Sequence, residues 1–379
     1  MVSGTPLWTV IENGPAGFDD YAYAVALLPS GDVVATGRSA GDAGDAWMAR
    51  FDPENGENLR SWQYGGALAD EGRAIATDAA SWIYVVGTVG NENNGANIFA
   101  RAYFDDLLDG GMPGGNVELQ WPQTIASGAD DFGFATAIRE AHDQIVVAGS
   151  YGRAADPEHP DAHARGFPLT GEDATWTCSA GIDALANDIR AIVVDATGRV
   201  FVGGSVRTAT ANPRTDAWIG EIDLTIGTGI VGYAWTLRLG ELADVDVVHA
   251  LAIKDGELLV AGHLDTRGFL GTWTTQGVET SRIVDPGPEA SEIHGIAADT
   301  TGAVVTVGYR TTDAGMRDIE VVKYTPAGDV LWSDDVDGEA HEDDRARAIV
   351  IADDGTVIVA GHVRAPASDS DIWLRKYAP

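Results

Sequence analysis

The chain has 379 residues, with 58 Asp and Glu against 24 Lys and Arg, so its formal charge is 24 − 58 = −34. With 45 % hydrophobic residues it can bury a large core, which excludes wholesale disorder. A surface this acidic repels phosphate backbones and anionic lipid, which excludes a generic nucleic-acid binder and a membrane-surface protein.

In chain order, residues 7–10 (Leu-Trp-Thr-Val) read as a lone strand of the kind that ends each later unit. Residues 24–37 then read as a strand, a Ser-Gly turn and a second strand ending in Gly37. A third strand follows from Asp45 to Phe51, and after a turn a fourth carries Trp62. The same unit restarts at Ala74, Ala137, Ala191, Ala250, Gly295 and Ala348. Its second strand ends at Gly87, Gly149, Gly204, Gly262, Gly308 and Gly361. Third strands recur at 216–222, 318–324 and 371–377, and fourth-strand tryptophans at Trp121, Trp176, Trp235 and Trp332. The fifth unit departs, with Arg267 where the third-strand Asp is expected and no Trp near Ile283.

Seven units of four short strands predict an all-β protein, a seven-bladed β-propeller forming one domain over residues 1–379. The chain starts with a fourth strand and ends with a third, so the N-terminal strand is expected to complete the last blade. The repeated D-x-x-x-A-[IVL], G-x-[VI]-x-[VA]-x-G and D-[AI]-W-x-x-[RK]-[FY] elements resemble the bacterial β-propeller-repeat proteins of the SBBP or Delta-60-like type. Asp344 to Ile349, Gly355 to Gly361 and Asp371 to Tyr377 are examples. The resemblance implies a binding or scaffold role and an extracellular or periplasmic setting. Residues 1–4 carry neither a basic stretch nor an apolar h-region, so no signal peptide is expected in this chain. Cys178 is the only cysteine, which leaves no intrachain disulfide and no Cys-based metal site.

Stacking the units gives columns. Small residues opening each inner strand (Ala24, Ala74, Ala137, Ala191, Ala250, Gly295, Ala348) read as close packing near the axis. The strand-four tryptophans, and Trp47, Phe99, Trp218 and Trp373 of strand three, read as blade packing. Asp20, Asp70, Asn187, Asp246 and Asp344, with Asp131 and Glu292 near the same place, read as acceptors of backbone N–H groups.

The column before the small residue holds Tyr23, Arg73, Thr136, Arg190, His249, His294 and Arg347. These are expected round the axial mouth as the ligand-binding residues. The competing reading pairs each Arg with a loop carboxylate: Asp70, Asp188 or Asp344. A small anionic molecule, a glycan or a protein partner is expected, bound by a monomer. Arg suits a carboxylate or phosphate through its planar fork.

No nucleophile elbow, HExxH or P-loop occurs, and no catalytic residue or cofactor is assigned. Calcium could be assisted by Asp42 with Asp45 or by Asp369 with Asp371, although it needs six to eight oxygens. The alternative is a His/carboxylate lyase or hydrolase at the mouth, built from His249, His263 and His294 or from His341 and His362. The loops at 151–162, with Arg153, Asp156, Glu158, His159 and Asp161, and at 91–97 are expected to give the face its individual character.

Overall fold

The computed structural model describes residues 4–13, 19–39, 44–65, 68–91, 95–104, 117–118, 123–152, 160–179, 187–207, 215–225, 227–240, 245–285, 287, 289–312, 315–366 and 369–379. Among them the strands form seven sheets, the blades of a seven-bladed β-propeller. Blade 1 runs through Tyr21–Leu27, Val33–Ser39, Asp45–Phe51 and Asn58–Tyr64, each strand antiparallel to the last. Blades 2 to 6 open with inner strands Asp70–Thr77, Phe132–Arg139, Asn187–Val194, Val247–Lys254 and Ser291–Ala298. Blade 3 gains Gly229–Val231, which pairs parallel to Trp176–Cys178. No helix among the described residues is long and apolar enough to cross a membrane.

The seventh blade takes three strands from the C-terminus, Arg345–Ile351, Val357–Arg364 and Ser370–Tyr377. Its fourth is Pro6–Glu12, with Trp8 opposite Lys376 and Val10 opposite Leu374. Trp8 and Lys376 both donate to the carbonyl of Pro53, at 3.1 and 2.9 Å, which ties this closure to blade 1.

One backbone bond recurs at every blade junction. Asp20, Asp70, Asp131, Asn187, Asp246, Ser291 and Asp344 donate their N–H groups to Ser370, Gly44, Ala96, Pro160, Thr215, Thr266 and Arg317 of the preceding blade, at 2.6–2.9 Å. The seven donors are all buried. The carboxylates of Asp70, Asp131, Asp246 and Asp344 also accept the N–H groups of Gly90, Gly152, Asp265 and Arg364, at 2.6–2.8 Å. The acidic column is therefore part of the frame. Its blade 6 member is Ser291, not Glu292.

A hydrophobic cluster fills each gap between neighbouring blades. On the outer strands, Trp8, Trp176, Trp235 and Trp332 share one register position and pack into these gaps. Blade 5 places Ser281 there. The cluster between blades 5 and 6 is correspondingly small, and a cavity of about 320 Å³ lies beside it.

On the third strand, the residue opposite the glycine of the second is Trp47, Phe99, His163, Trp218, Phe269, Glu320 or Trp373. Glu320 thus stands in an aromatic position and lines the same cavity, paired with Arg310. Burial pushes its carboxyl up to about 7, against the pull of Arg310. A folded-state pKa above the unfolded value adds stability that is complete below pH 4.5 and lost as pH rises through 7. Glu320→Gln is therefore expected to gain about 2 kcal/mol on the parent between pH 5 and pH 8, read from urea melts at both pH values. A pH-independent difference would refute the burial argument.

Candidate functional site

The inner and second strands of each blade share one irregularity. Their register shifts by one residue in every blade, with the extra residue at Tyr23, Arg73, Phe134, Arg190, His249, His294 and Arg347. Such a bulge re-aims the side chain it carries. The carbonyl two residues before each bulge is pressed against the facing strand. A Cβ at Gly37, Gly87, Gly149, Gly204, Gly262, Gly308 or Gly361 would meet that oxygen at 1.8–2.3 Å. This close approach explains the glycine of every second strand, which the strand runs past by at least two residues rather than ending there. The Trp47 and Trp218 indoles donate to the same carbonyl, of Tyr21 and Asp188, at 3.1 Å.

Six of the seven expected residues are bulge residues, and the blade 3 member is corrected from Thr136 to Phe134. The small residue after it is Ala135 rather than Ala137. A two-residue slip keeps side chains on the same face, so alternation alone does not expose it. Thr136 still lines the axial cavity, and its hydroxyl donates to the Val146 carbonyl at 2.9 Å.

Two further rings at the mouth were not singled out in the sequence, although fixed offsets define them. One lies two residues before each bulge: Tyr21, Glu71, Phe132, Asp188, Val247, Glu292 and Arg345. The other follows the recurring glycine of each second strand and pairs directly with the first: Arg38, Thr88, Ser150, Ser205, His263, Tyr309 and His362. Together the three rings divide the mouth into sectors of different chemistry.

Blade 4 is internally neutralised, with Arg190 on Asp188 at 2.9 Å and Asp188 held by the N–H and hydroxyl of Ser205. Arg73 pairs with Glu71 rather than Asp70, and its guanidinium stacks 4.6 Å from the Tyr23 ring. Arg347 differs: among the described residues it has no ion-pair partner, and its Nε is buried without a hydrogen bond. Burial and then the charge of Arg345 push its pKa down to about 10, so it remains cationic at neutral pH.

Around Arg347, between blades 7, 1 and 2, lies a polar cavity of about 460 Å³. Arg38, Arg73, Arg345 and Arg364 line it with Tyr21, Tyr23 and His362, and Asp343 is the one carboxylate in its wall among the described residues. Asp343 lies 3.8 Å from Arg345, and Arg364 reaches Asp19 and Glu342 at 3.3 and 3.2 Å. His362 is 4 % exposed, with its ring edge-on to Tyr21 and its Nδ1 unpartnered. Burial, then Arg347, holds the imidazole well below its usual range.

Blades 5 and 6 bring His249, His263 and His294 together with Glu292. His249 Nε2 lies 3.1 Å from His263 Nδ1 and 3.8 Å from Glu292 Oε2, and His294 Nε2 lies 3.1 Å from the same oxygen. Burial keeps His249 far below its usual range and His294 at about 4. Burial also raises the Glu292 carboxyl, but the His294 imidazole and the Tyr309 hydroxyl outweigh it and hold the group at about 2. The other histidine pair does not converge. His341 is exposed on Asp337, and His362 belongs to the arginine cavity.

A protein of unknown function from Dyadobacter fermentans DSM 18053 superposes over 99 % of both chains, at 11 % identity and a TM-score of 0.51. A puromycin hydrolase superposes over 96 % of this chain and 54 % of its own, at 14 % identity and a TM-score of 0.52. The propeller fold is shared. At such identities the likeness extends to nothing finer. No protein-family model and no curated protein matches the chain. Of the loop residues singled out in the sequence, Asp42, Arg153, Asp156, Glu158 and His159 lie outside the described residues, as does Trp121.

Proposed function

We propose that the chain is a binding propeller of the bacterial β-propeller-repeat kind, and that its ligand is a small carboxylate- or phosphate-bearing molecule seated in the arginine cavity. The observation that carries this reading is Arg347, a guanidinium at the axial mouth with no ion-pair partner among the described residues. Arg345 and Arg73 repel it. An anion between these groups would relieve that repulsion, and the planar fork of Arg suits an oxyanion. His362 Nδ1 and the Tyr23 hydroxyl add polar contacts that can orient a ligand. The acidic exterior disfavours a long polyanion such as nucleic acid and leaves a compact anion as the fitting guest. A secreted or periplasmic setting belongs to the same reading.

The test is calorimetry and thermal shift with citrate, phosphate and galacturonate on the parent and on an Arg345→Ala, Arg347→Ala double variant. A ligand at a hundredfold its Kd is expected to stabilise the parent by about 2.7 kcal/mol and to leave the variant unmoved. Absence of saturable binding to the parent, or equal binding by the variant, would overturn the assignment.

A further inference from the structure

We propose that His249, His294 and Glu292 form a binding site for one divalent transition-metal ion of the zinc class, with His263 positioned as a fourth donor. The site stands independently of the anion reading. His249 and His294 are the bulge residues of adjacent blades, and Glu292 lies two residues before His294 on the same strand. Strands, rather than loops, therefore carry all three side chains, two of them on bulges, and a site on such elements is held more tightly.

Their donor atoms all lie within 4.8 Å of one another. A metal about 2.0–2.1 Å from two donors in tetrahedral geometry places those donors about 3.4 Å apart. The separations from Glu292 Oε2 to His294 Nε2 and to His249 Nε2, 3.1 and 3.8 Å, bracket that value. His263 Nδ1 lies 3.1 Å from His249 Nε2 and 4.0 Å from Glu292 Oε2, so it can close a fourth side with a small rotation.

The surroundings fit the same role. His294 Nε2 is buried and, although near Glu292, makes no aligned hydrogen bond. Tyr309 stands opposite Glu292 on the facing strand, and its hydroxyl helps hold the carboxyl ionised, the kind of outer influence that suits a ligating carboxylate. Imidazole nitrogens with one carboxylate suit zinc, cobalt, copper or nickel; calcium and magnesium want oxygen donors. His249 and His294 also line the axial cavity of about 190 Å³, so a position not taken by protein would open towards the axis. The opposing feature is the positive charge of Arg190, Arg345 and Arg347 nearby, which weakens the site for any cation.

The full chain, stripped with chelator, would be titrated with ZnCl2 by calorimetry and with CoCl2 by visible absorption. One equivalent is expected, with the intense d–d bands of a four- or five-coordinate cobalt ion. Glu292→Gln should weaken binding at least about 10-fold, and His249→Ala or His294→Ala should abolish the bands. His142→Ala, an exposed histidine in the Glu140–His142 turn between the inner and second strands of blade 3, should change neither readout. Circular dichroism checks that each variant is folded. If the His variants fail to fold, copper electron paramagnetic resonance on the parent decides. Nitrogen couplings from imidazole support the site, and an oxygen-only signal overturns it. Equal zinc uptake by a folded His294→Ala variant, or no saturable uptake by the parent, would mean that the cluster is a hydrogen-bonded network only.

Discussion

A variant lacking residues 1–12 is expected to melt far below the parent and to associate through its exposed edge. The lost strand Pro6–Glu12 supplies the whole outer edge of blade 7. It also removes Trp8, only 9 % exposed and packed in the cluster between blades 7 and 1. A buried Trp truncated to Ala costs about 3–5 kcal/mol, and the unpaired backbone of Ser370–Tyr377 adds to that. The loss should therefore reach about 5 kcal/mol or more. The freed third strand presents a row of N–H and C=O groups to other molecules. Thermal melts and size-exclusion chromatography read both effects, and a synthetic peptide of residues 4–12 should partly restore the melt by adding back the strand. An unchanged melting curve in a monomeric variant would show that the ring does not depend on this strand.

Gly262→Ala is expected to destabilise by about 2–3 kcal/mol, the cost of backbone strain plus overpacking. In an ordinary strand the same change is mildly favourable, because Gly loses more conformational freedom on folding than Ala. At Gly262 the new Cβ would meet the Val247 carbonyl at 1.9 Å and the Val248 Cα at 3.0 Å. To make room, the bulge at His249 must open, and that imidazole leaves its place beside His294 and Glu292. Metal uptake should thus fall together with stability. Gly232→Ala is the matched control, since its Cβ would meet nothing within 4 Å and stability should not fall. Urea melts of both variants test the sign. If Gly262→Ala melts with the parent, the close approach is not what places glycine there.

Blade number and ring closure were legible in the residues. Each unit repeats its strands, its turn and its second-strand glycine, and a strand with two apolar faces must be covered by neighbouring blades. The role of the acidic column was legible too, because Asp70, Asp131, Asp246 and Asp344 recur just before an inner strand and accept backbone N–H groups. The bulge in blade 3 was not. Ala135-Thr136 and Ala137-Ile138 satisfy the same alternation, and only the contact of Gly149 with the Phe132 carbonyl fixes the shift at Phe134.

The chemistry of the mouth lay further out of reach. His249 and His294 are 45 residues apart in the chain, and their rings are 4.6 Å apart in space because they occupy equivalent bulges of adjacent blades. Arg73, Arg190 and Arg347 share one column, yet Glu71 and Asp188 neutralise the first two. The third has Arg345 in the corresponding place, two residues before the bulge. The sequence by itself determined the scaffold, because local strand and turn patterns repeat within each unit. The tertiary structure alone decided which charges are spent on neighbours and which face the axis, because those contacts run between strands and between blades.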